Sequence, residues 1–349
     1  MYKDYKVVVN TAAGRRRYMQ YLVPFVMSSD IVDRYDIWIN THNGADIEFF
    51  KRLADAFPKM NLVWQPDGWV KGNASINAFY RQCVEKDCVY FKLDDDIVWM
   101  ELDAIEKMVK FRIDNPEYFL VSPLVINNAQ STYLLQIANK IKLNKYYNSS
   151  ANNDILWRSG DFAAQLHLWF LDKMKDQSYK DLYVGACPTA LCRFSINAIL
   201  WFGSELAKND GVVQGDDEET MSCILPAKKK MANCWNGDAI MAHFAFFTQR
   251  EQLDACQILD KYGEISSAIF HSDERLSGIY DTVQEILKDI DQNEESLLLR
   301  KSPYADYDIT KDSQIKKIAR SVMPKSVWNQ LREFKEGFKS KESDVYILE

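Results

Sequence analysis

Over the first hundred residues, short apolar runs alternate with amphipathic stretches of helical length, and the fourth run ends in three consecutive aspartates. Residues 5–10, 36–40, 61–65 and 88–93 read as strands. Residues 15–29 (despite Pro24), 46–57 (stopped at Pro58) and 73–86 read as helices. Short apolar runs separated by such helices are the pattern of an α/β chain, a mostly parallel sheet flanked by crossover helices. Ligands of such sheets sit beyond the carboxyl ends of the strands. Two of those ends carry the polar chemistry: Asn10 to Arg17 after the first run, and Asp94-Asp95-Asp96 after the fourth.

Beyond Asp96 the pattern loosens. A helix is expected over 102–113 and a strand over 118–122. The Asn-, Lys- and Tyr-rich residues 127–180 read as loops and short helices over a cleft. A partly strand-like run covers 190–200, a short helix 216–225, a strand-like core 235–247 and an acidic helix 274–299.

Three adjacent carboxylates after a buried-type strand repel one another unless a cation compensates them. A divalent ion, Mn or Mg, shared with a diphosphate would do so and would also stabilise a departing phosphate. The bland alternative is a solvated acidic turn capping a following helix. Gly215-Asp216-Asp217-Glu218-Glu219 is a second acidic cluster at a helix start, where acids are common. Its chemical reading is a general base that takes a proton from an attacking hydroxyl. His243 sits in an apolar segment and reads either as a packed core residue or as a metal ligand, with Asp238 as a substitute; neutral imidazole suits Mn. His42 is a loop residue without an assigned role, and His167 and His271 read as structural or surface residues.

The segment VYFKLDDDIVWM resembles the DxD segment of GT-A-type glycosyltransferases, and in particular of those that build bacterial capsule and lipopolysaccharide. The resemblance covers about residues 5–250 and implies a GT-A-like, Rossmann-type fold. It implies Asp96 as metal ligand, with His243 completing the site, and Asp94 and Asp95 as donor contacts, Asp94 at the ribose or sugar. VVVNTAAGRRRYM is similar to the family's nucleotide-contacting first loop, which implies Thr11, Ala13 and Arg15 near base and ribose. GWVKGNASINAFYRQC resembles the helix before DxD, with Asn73 and Asn77 as polar contacts. GDDEETMS is similar to an acidic motif that carries the base, which falls on Asp217 or Glu218. The expected activity is metal-assisted transfer of a sugar, with inversion, from a nucleotide-sugar (a UDP-sugar on family grounds) to a glycan or lipid-linked acceptor.

The expected layout is a catalytic domain at 1–250, divided near residue 100 into a nucleotide-sugar half and an acceptor half, and a helical extension at 251–349. Within the extension, 313–339 is a basic amphipathic stretch suited to an anionic membrane surface. Residues 311–341 carry a net charge of +6 and residues 1–310 a net charge of −10, so the acidic body excludes nucleic acid as the main partner. No apolar run approaches the ~18 residues of a membrane span. The start of the chain carries no apolar leader, and the seven cysteines match no zinc or redox spacing. The chain is therefore expected to be cytoplasmic, peripheral at most on the inner face of the membrane.

Two other functions fit parts of the sequence. Asp94-x-Asp96-x-Val98 also matches the nucleophile motif of haloacid-dehalogenase-type phosphatases, but that fold places it on the first core strand, and three strands precede it here. A non-catalytic module that binds a glycan or nucleotide-sugar would use the same triplet without turnover.

Overall fold

The computed structural model describes residues 2–151, 153–189, 191–304 and 342–349; the basic stretch 313–339 lies outside them. In chain order the strands are β1 (Lys6–Ala13), β2 (Arg34–Ile39), β3 (Met60–Val63), β4 (Cys88–Leu93), β5 (Ile97–Met100), β6 (Val121–Ile126), β7 (Ala186–Thr189), β8 (Ala198–Phe202) and β9 (Asn233–His243). The helices are α1 (Arg16–Ser28), α2 (Gly44–Ala56), α3 (Asn73–Tyr80), α4 (Ala104–Asp114), α5 (Ala129–Ile137), α6 (Asp154–Arg158), α7 (Gly160–Lys175), α8 (Gly203–Ala207), α9 (Asp217–Glu219), α10 (Leu225–Lys229), α11 (Arg250–Ala255), α12 (Ile258–Phe270), α13 (Glu274–Gln292) and α14 (Glu294–Leu298).

The strands form one nine-stranded sheet in the order β3-β2-β1-β4-β8-β6-β9-β5, with β7 paired to β9. β3, β2, β1 and β4 are parallel, and β6 and β9 run in the same direction. Only β8, β5 and β7 run against them among the described residues. The α/β architecture with a mostly parallel sheet flanked by helices is therefore as expected. β4 is buried along its whole length, Lys92 included. A strand covered on both faces reads as a continuous apolar run, and that is why 88–93 stood out.

Three elements differ from the expectation. Between the acidic triplet and the helix expected over 102–113, which is α4, lies an edge strand, β5, that the sequence reading did not separate. α3 ends at Tyr80, six residues short of the expected 86, because Gln82 N–H and Cys83 N–H close a tight turn on Phe79 and Tyr80 carbonyls. The region 127–180 holds a sixteen-residue helix, α7. Its buried residues Phe162, Ala163, Leu166, His167, Phe170, Leu171 and Met174 recur at helical spacing, and the helix packs against β6, α11 and α12.

α13 packs on α1 and α2, and α14 on α2, so these two helices cover the first β-α units. No helix among the described residues is long and apolar enough to cross a membrane.

His167 is fully buried, with Nε2 2.8 Å from the Phe244 carbonyl and Nδ1 2.9 Å from the Tyr262 hydroxyl. Nε2 must carry the proton toward the carbonyl, so Nδ1 accepts from the tyrosine. Burial pushes its pKa down to about 4 from 6.5. The unfolded chain thus binds a proton between these values that the native chain refuses, and stability falls as pH falls through that window. The loss should reach about 3 kcal/mol by pH ~4. Urea midpoints from pH ~7 to ~4 should show this fall in the wild type and a shallower one in His167→Gln; parallel profiles would show that His167 contributes nothing.

Candidate functional site

The register between β5 and β9 builds the centre of the site. Ile97 pairs with His243, and Phe244 N–H donates to the Asp96 carbonyl at 2.8 Å. The aspartate that ends the triplet is thereby set beside the histidine that ends β9. Asp96 Oδ1 lies 3.4 Å from His243 Nε2, and Oδ2 accepts from Arg15 Nη2 at 2.9 Å. Asp95 accepts from Gly14 N–H at 3.0 Å, from Arg15 Nε at 3.1 Å and from Arg15 Nη2. Gly14 is closely packed: a Cβ there would lie 3.0 Å from the Asn40 carbonyl oxygen, so that backbone would have to give way by a few tenths of an ångström. Asp94 is half-buried and continues the β4–β8 ladder. Its N–H donates to the Asn197 carbonyl at 2.8 Å, and its carboxylate accepts from Lys92 Nζ and, at 3.1 Å, from Asn197 Nδ2.

Burial works against ionisation of Asp96, but Arg15, His243 and Arg250 outweigh it and hold the carboxyl well below the usual range. Burial likewise works against a charged Lys92, and Asp94 and Asp217 outweigh it. The triplet is not the solvated turn of the bland alternative: Asp95 and Asp96 are buried, and arginine compensates them.

The second acidic cluster faces the same cleft. Gly215 takes a left-handed φ of 68°, which favours glycine, and leads into Asp216, whose side chain caps the Glu219 N–H at 3.0 Å. From Asp217 the chain winds through one α-turn, a π-turn over Thr220–Ile224 and another α-turn, in place of the uniform short helix expected. π-Turns are concentrated at functional sites. Asp217 accepts from the Tyr80 hydroxyl at 3.2 Å, and the Tyr80 ring packs on Trp201. Glu218 is tied to Arg193 Nε at 2.7 Å and Asp216 to Arg193 Nη2 at 2.9 Å. Burial raises the pKa of Asp217, helped by Asp94 and opposed by Lys92 and Tyr80; burial also raises Glu218, opposed by Arg193.

The cleft has a volume of about 560 Å³, within the usual range for small-ligand sites. It brings together Arg15, Asp94, Asp95, Asp96, Asp217, Glu218 and His243. Thr11, Ala13, Asn77 and Asp238 do not line it. Thr11 is buried in β1 against the Tyr35 hydroxyl at 3.0 Å, and Ala13 is also buried; Ala12 and Gly14, in the alternate register, line the cleft. Asn73 opens α3, and Asn77 Nδ2 donates to the Gly215 carbonyl at 2.8 Å, bracing the turn before Asp216. Asp238 is exposed and accepts from Gly185 N–H at 2.9 Å. Sequence reasoning passed over Lys92, Arg193, Asn197 and Arg250. Lys92 did carry a signal, as a lone charge inside an apolar strand.

One atom each of Asp94, Asp96 and His243 lies within 4.8 Å of the others. The charges lining the cleft are six acids (Asp94, Asp95, Asp96, Asp216, Asp217, Glu218) against four bases (Arg15, Lys92, Arg193, Arg250). Two negative charges remain, which is what one divalent cation would balance. Two carboxylates and an imidazole suit Mn better than Mg, which prefers oxygen alone.

No family model matches the chain, and no curated protein matches it. Among solved structures, the chain is similar to a CMP:2-keto-3-deoxy-manno-octonic acid synthetase complexed with CTP: 7% identity, TM-score 0.37, 73% of this chain and 99% of that one. It is also similar to a 4-diphosphocytidyl-2C-methyl-D-erythritol synthase, with 10% identity, TM-score 0.40, and 74% and 99% of the two chains covered. The corresponding synthase from Anaerococcus prevotii DSM 20548 gives 10% identity, TM-score 0.39 and coverage of 74% and 96%. At these identities and scores, none of the three assigns a function to this chain.

Proposed function

We propose that this chain is a metal-dependent glycosyltransferase of the GT-A type, which moves a sugar from a nucleotide-sugar to a hydroxyl of a glycan or lipid-linked acceptor. One observation carries the proposal. The acidic triplet with His243 and the second acidic cluster, far apart in sequence, line one cleft. A binding module needs the first group; the second is what chemistry adds.

Asp94, Asp96 and His243 would hold the divalent cation, which when bound neutralises a donor diphosphate and eases its departure. Asp96 is suited to this because Oδ2 stays with Arg15 and Oδ1 faces His243. Asp217 is the base. Glu218 is paired with Arg193, whereas Asp217 has a tyrosine hydroxyl as its closest donor and no arginine bound to it among the described residues. The Asp217 carboxylate takes the acceptor hydroxyl proton. The acceptor oxygen bonds to the anomeric carbon as the bond from that carbon to phosphate oxygen breaks, and the nucleoside diphosphate leaves with the electron pair, inverting the centre. Trp157, Phe246 and Phe247 form an aromatic wall of the cleft that suits a ring-shaped substrate. A lipid-linked acceptor would give the basic stretch 313–339 its use at an anionic membrane, on the cytoplasmic face.

The test is a thermal-shift screen against UDP-, GDP-, CDP- and TDP-sugars, each with and without Mn. Ligand at ~100 times its dissociation constant should add about 2.7 kcal/mol. The expected result is a shift with one nucleotide class, UDP first, that requires the metal. No shift with any of them would remove the proposal.

A further inference from the structure

Two arginines stand beside Asp96, and each has a nitrogen left over. Arg15 gives Nε to Asp95 and Nη2 to both Asp95 and Asp96, while its Nη1 is buried with no hydrogen-bond partner among the described residues. Arg250, the first residue of α11, has Nη2 4.0 Å from Asp96 Oδ2, beyond hydrogen-bond reach. Its Nε is also buried without a partner among the described residues. Both side chains line the cleft. Both side chains are also partly open, 30% and 38% exposed, so they can meet a ligand that supplies oxygens. The residues nearest to them do not, since Asp96 Oδ2 is already taken by Arg15.

We infer that Arg250, together with Arg15, forms an anion subsite beside the acid triplet that binds the phosphate of a phosphorylated ligand, a diphosphate in particular. Guanidinium groups match phosphate oxygens in geometry, are always charged and shed water more easily than an ammonium group. The inference deepens the proposed sugar transfer and rests on it: there, the subsite holds the diphosphate before and after it leaves the sugar.

Calorimetric titration of the full chain with magnesium pyrophosphate tests this without any sugar. Arg250→Met should weaken pyrophosphate binding about ten- to a hundredfold. Arg250→Lys, which keeps the charge and loses the fork, should fall between. Mn binding in the absence of phosphate should be unchanged or tighter in Arg250→Met, because a cation 4.0 Å from Asp96 has been removed. Opposite effects on anion and metal are the signature, since a residue that merely held the fold would weaken both. Wild-type affinity for pyrophosphate in Arg250→Met, loss of both ligands together, or no pyrophosphate binding by the wild type would each overturn the inference. If pyrophosphate binds and Arg250→Met loses it while no nucleotide-sugar shifts the protein, the subsite stands and the sugar-transfer proposal falls.

Discussion

Asp96→Asn is expected to abolish metal-dependent donor binding in a chain that still folds. The amide keeps the size of the side chain and one oxygen, but it removes a charge from a cleft whose two uncompensated negatives are its attraction for a dication. It also removes one of the two carboxylates within 4.8 Å of each other and of His243. The loss of metal affinity should be at least about 100-fold, or about 2.7 kcal/mol. The fold should tolerate the change, because Arg15 retains Asp95 as a partner through two of its nitrogens. Relief of repulsion between adjacent aspartates offsets part of the lost ion pair. Mn binding followed by electron paramagnetic resonance, with the thermal midpoint of the apo chain as a control, separates the two effects. Wild-type Mn affinity in the variant would move the metal away from the triplet.

What the sequence disclosed about this site, and what it withheld, follows from the range of the interactions. β4 and its aspartates were legible because a strand buried on both faces is apolar throughout, and three acids at its end conflict with that burial. The arginine that resolves the conflict was also visible in the sequence, but not its role. Arg15 was expected at a base and ribose, and only the return of β1 alongside β4 puts it on Asp95 and Asp96. β5 is four residues long and has too little pattern to separate it from a loop or helix start. Its pairing with β9 depends on sheet order, so His243 could be proposed as a ligand only from its type and the family resemblance, and its place beside Asp96 comes from the Ile97–His243 register. Thr11 and Ala13 show the same limit on a smaller scale. A strand turns alternate residues to opposite faces, and which set faces a ligand is fixed by neighbours that the local sequence does not name. Arg250 gave no signal, since an arginine at a helix start near the surface looks like any solvated charge.

Asp217→Asn should lower sugar transfer about 10²- to 10⁴-fold, the usual contribution of a positioned base, while metal-dependent donor binding persists. The amide keeps an oxygen for the Tyr80 hydroxyl, 3.2 Å from Oδ2 in the wild type, so the local packing should hold. It cannot accept a proton from the acceptor. The pH profile adds an independent reading. Burial raises the pKa of Asp217, Asp94 adds to the rise, and Lys92 and the tyrosine hydroxyl oppose it. The base works only when ionised, so wild-type activity should fall on the acid side through a pKa above the ordinary aspartate value, and the residual activity of Asp217→Asn should lack that limb. Glu218→Gln is the contrast. Its wild-type carboxylate holds Arg193 at 2.7 Å, and Asp216 keeps a second hold on the same guanidinium at 2.9 Å. Its effect should therefore be smaller and retain the acid limb. If Asp217→Asn turned over at the wild-type rate and Glu218→Gln did not, the base would be the residue that Arg193 now covers, and Arg193 would have to release it in each turnover. If neither variant were impaired, the proton would leave by another route, and the second acidic cluster would be a helix cap and nothing more.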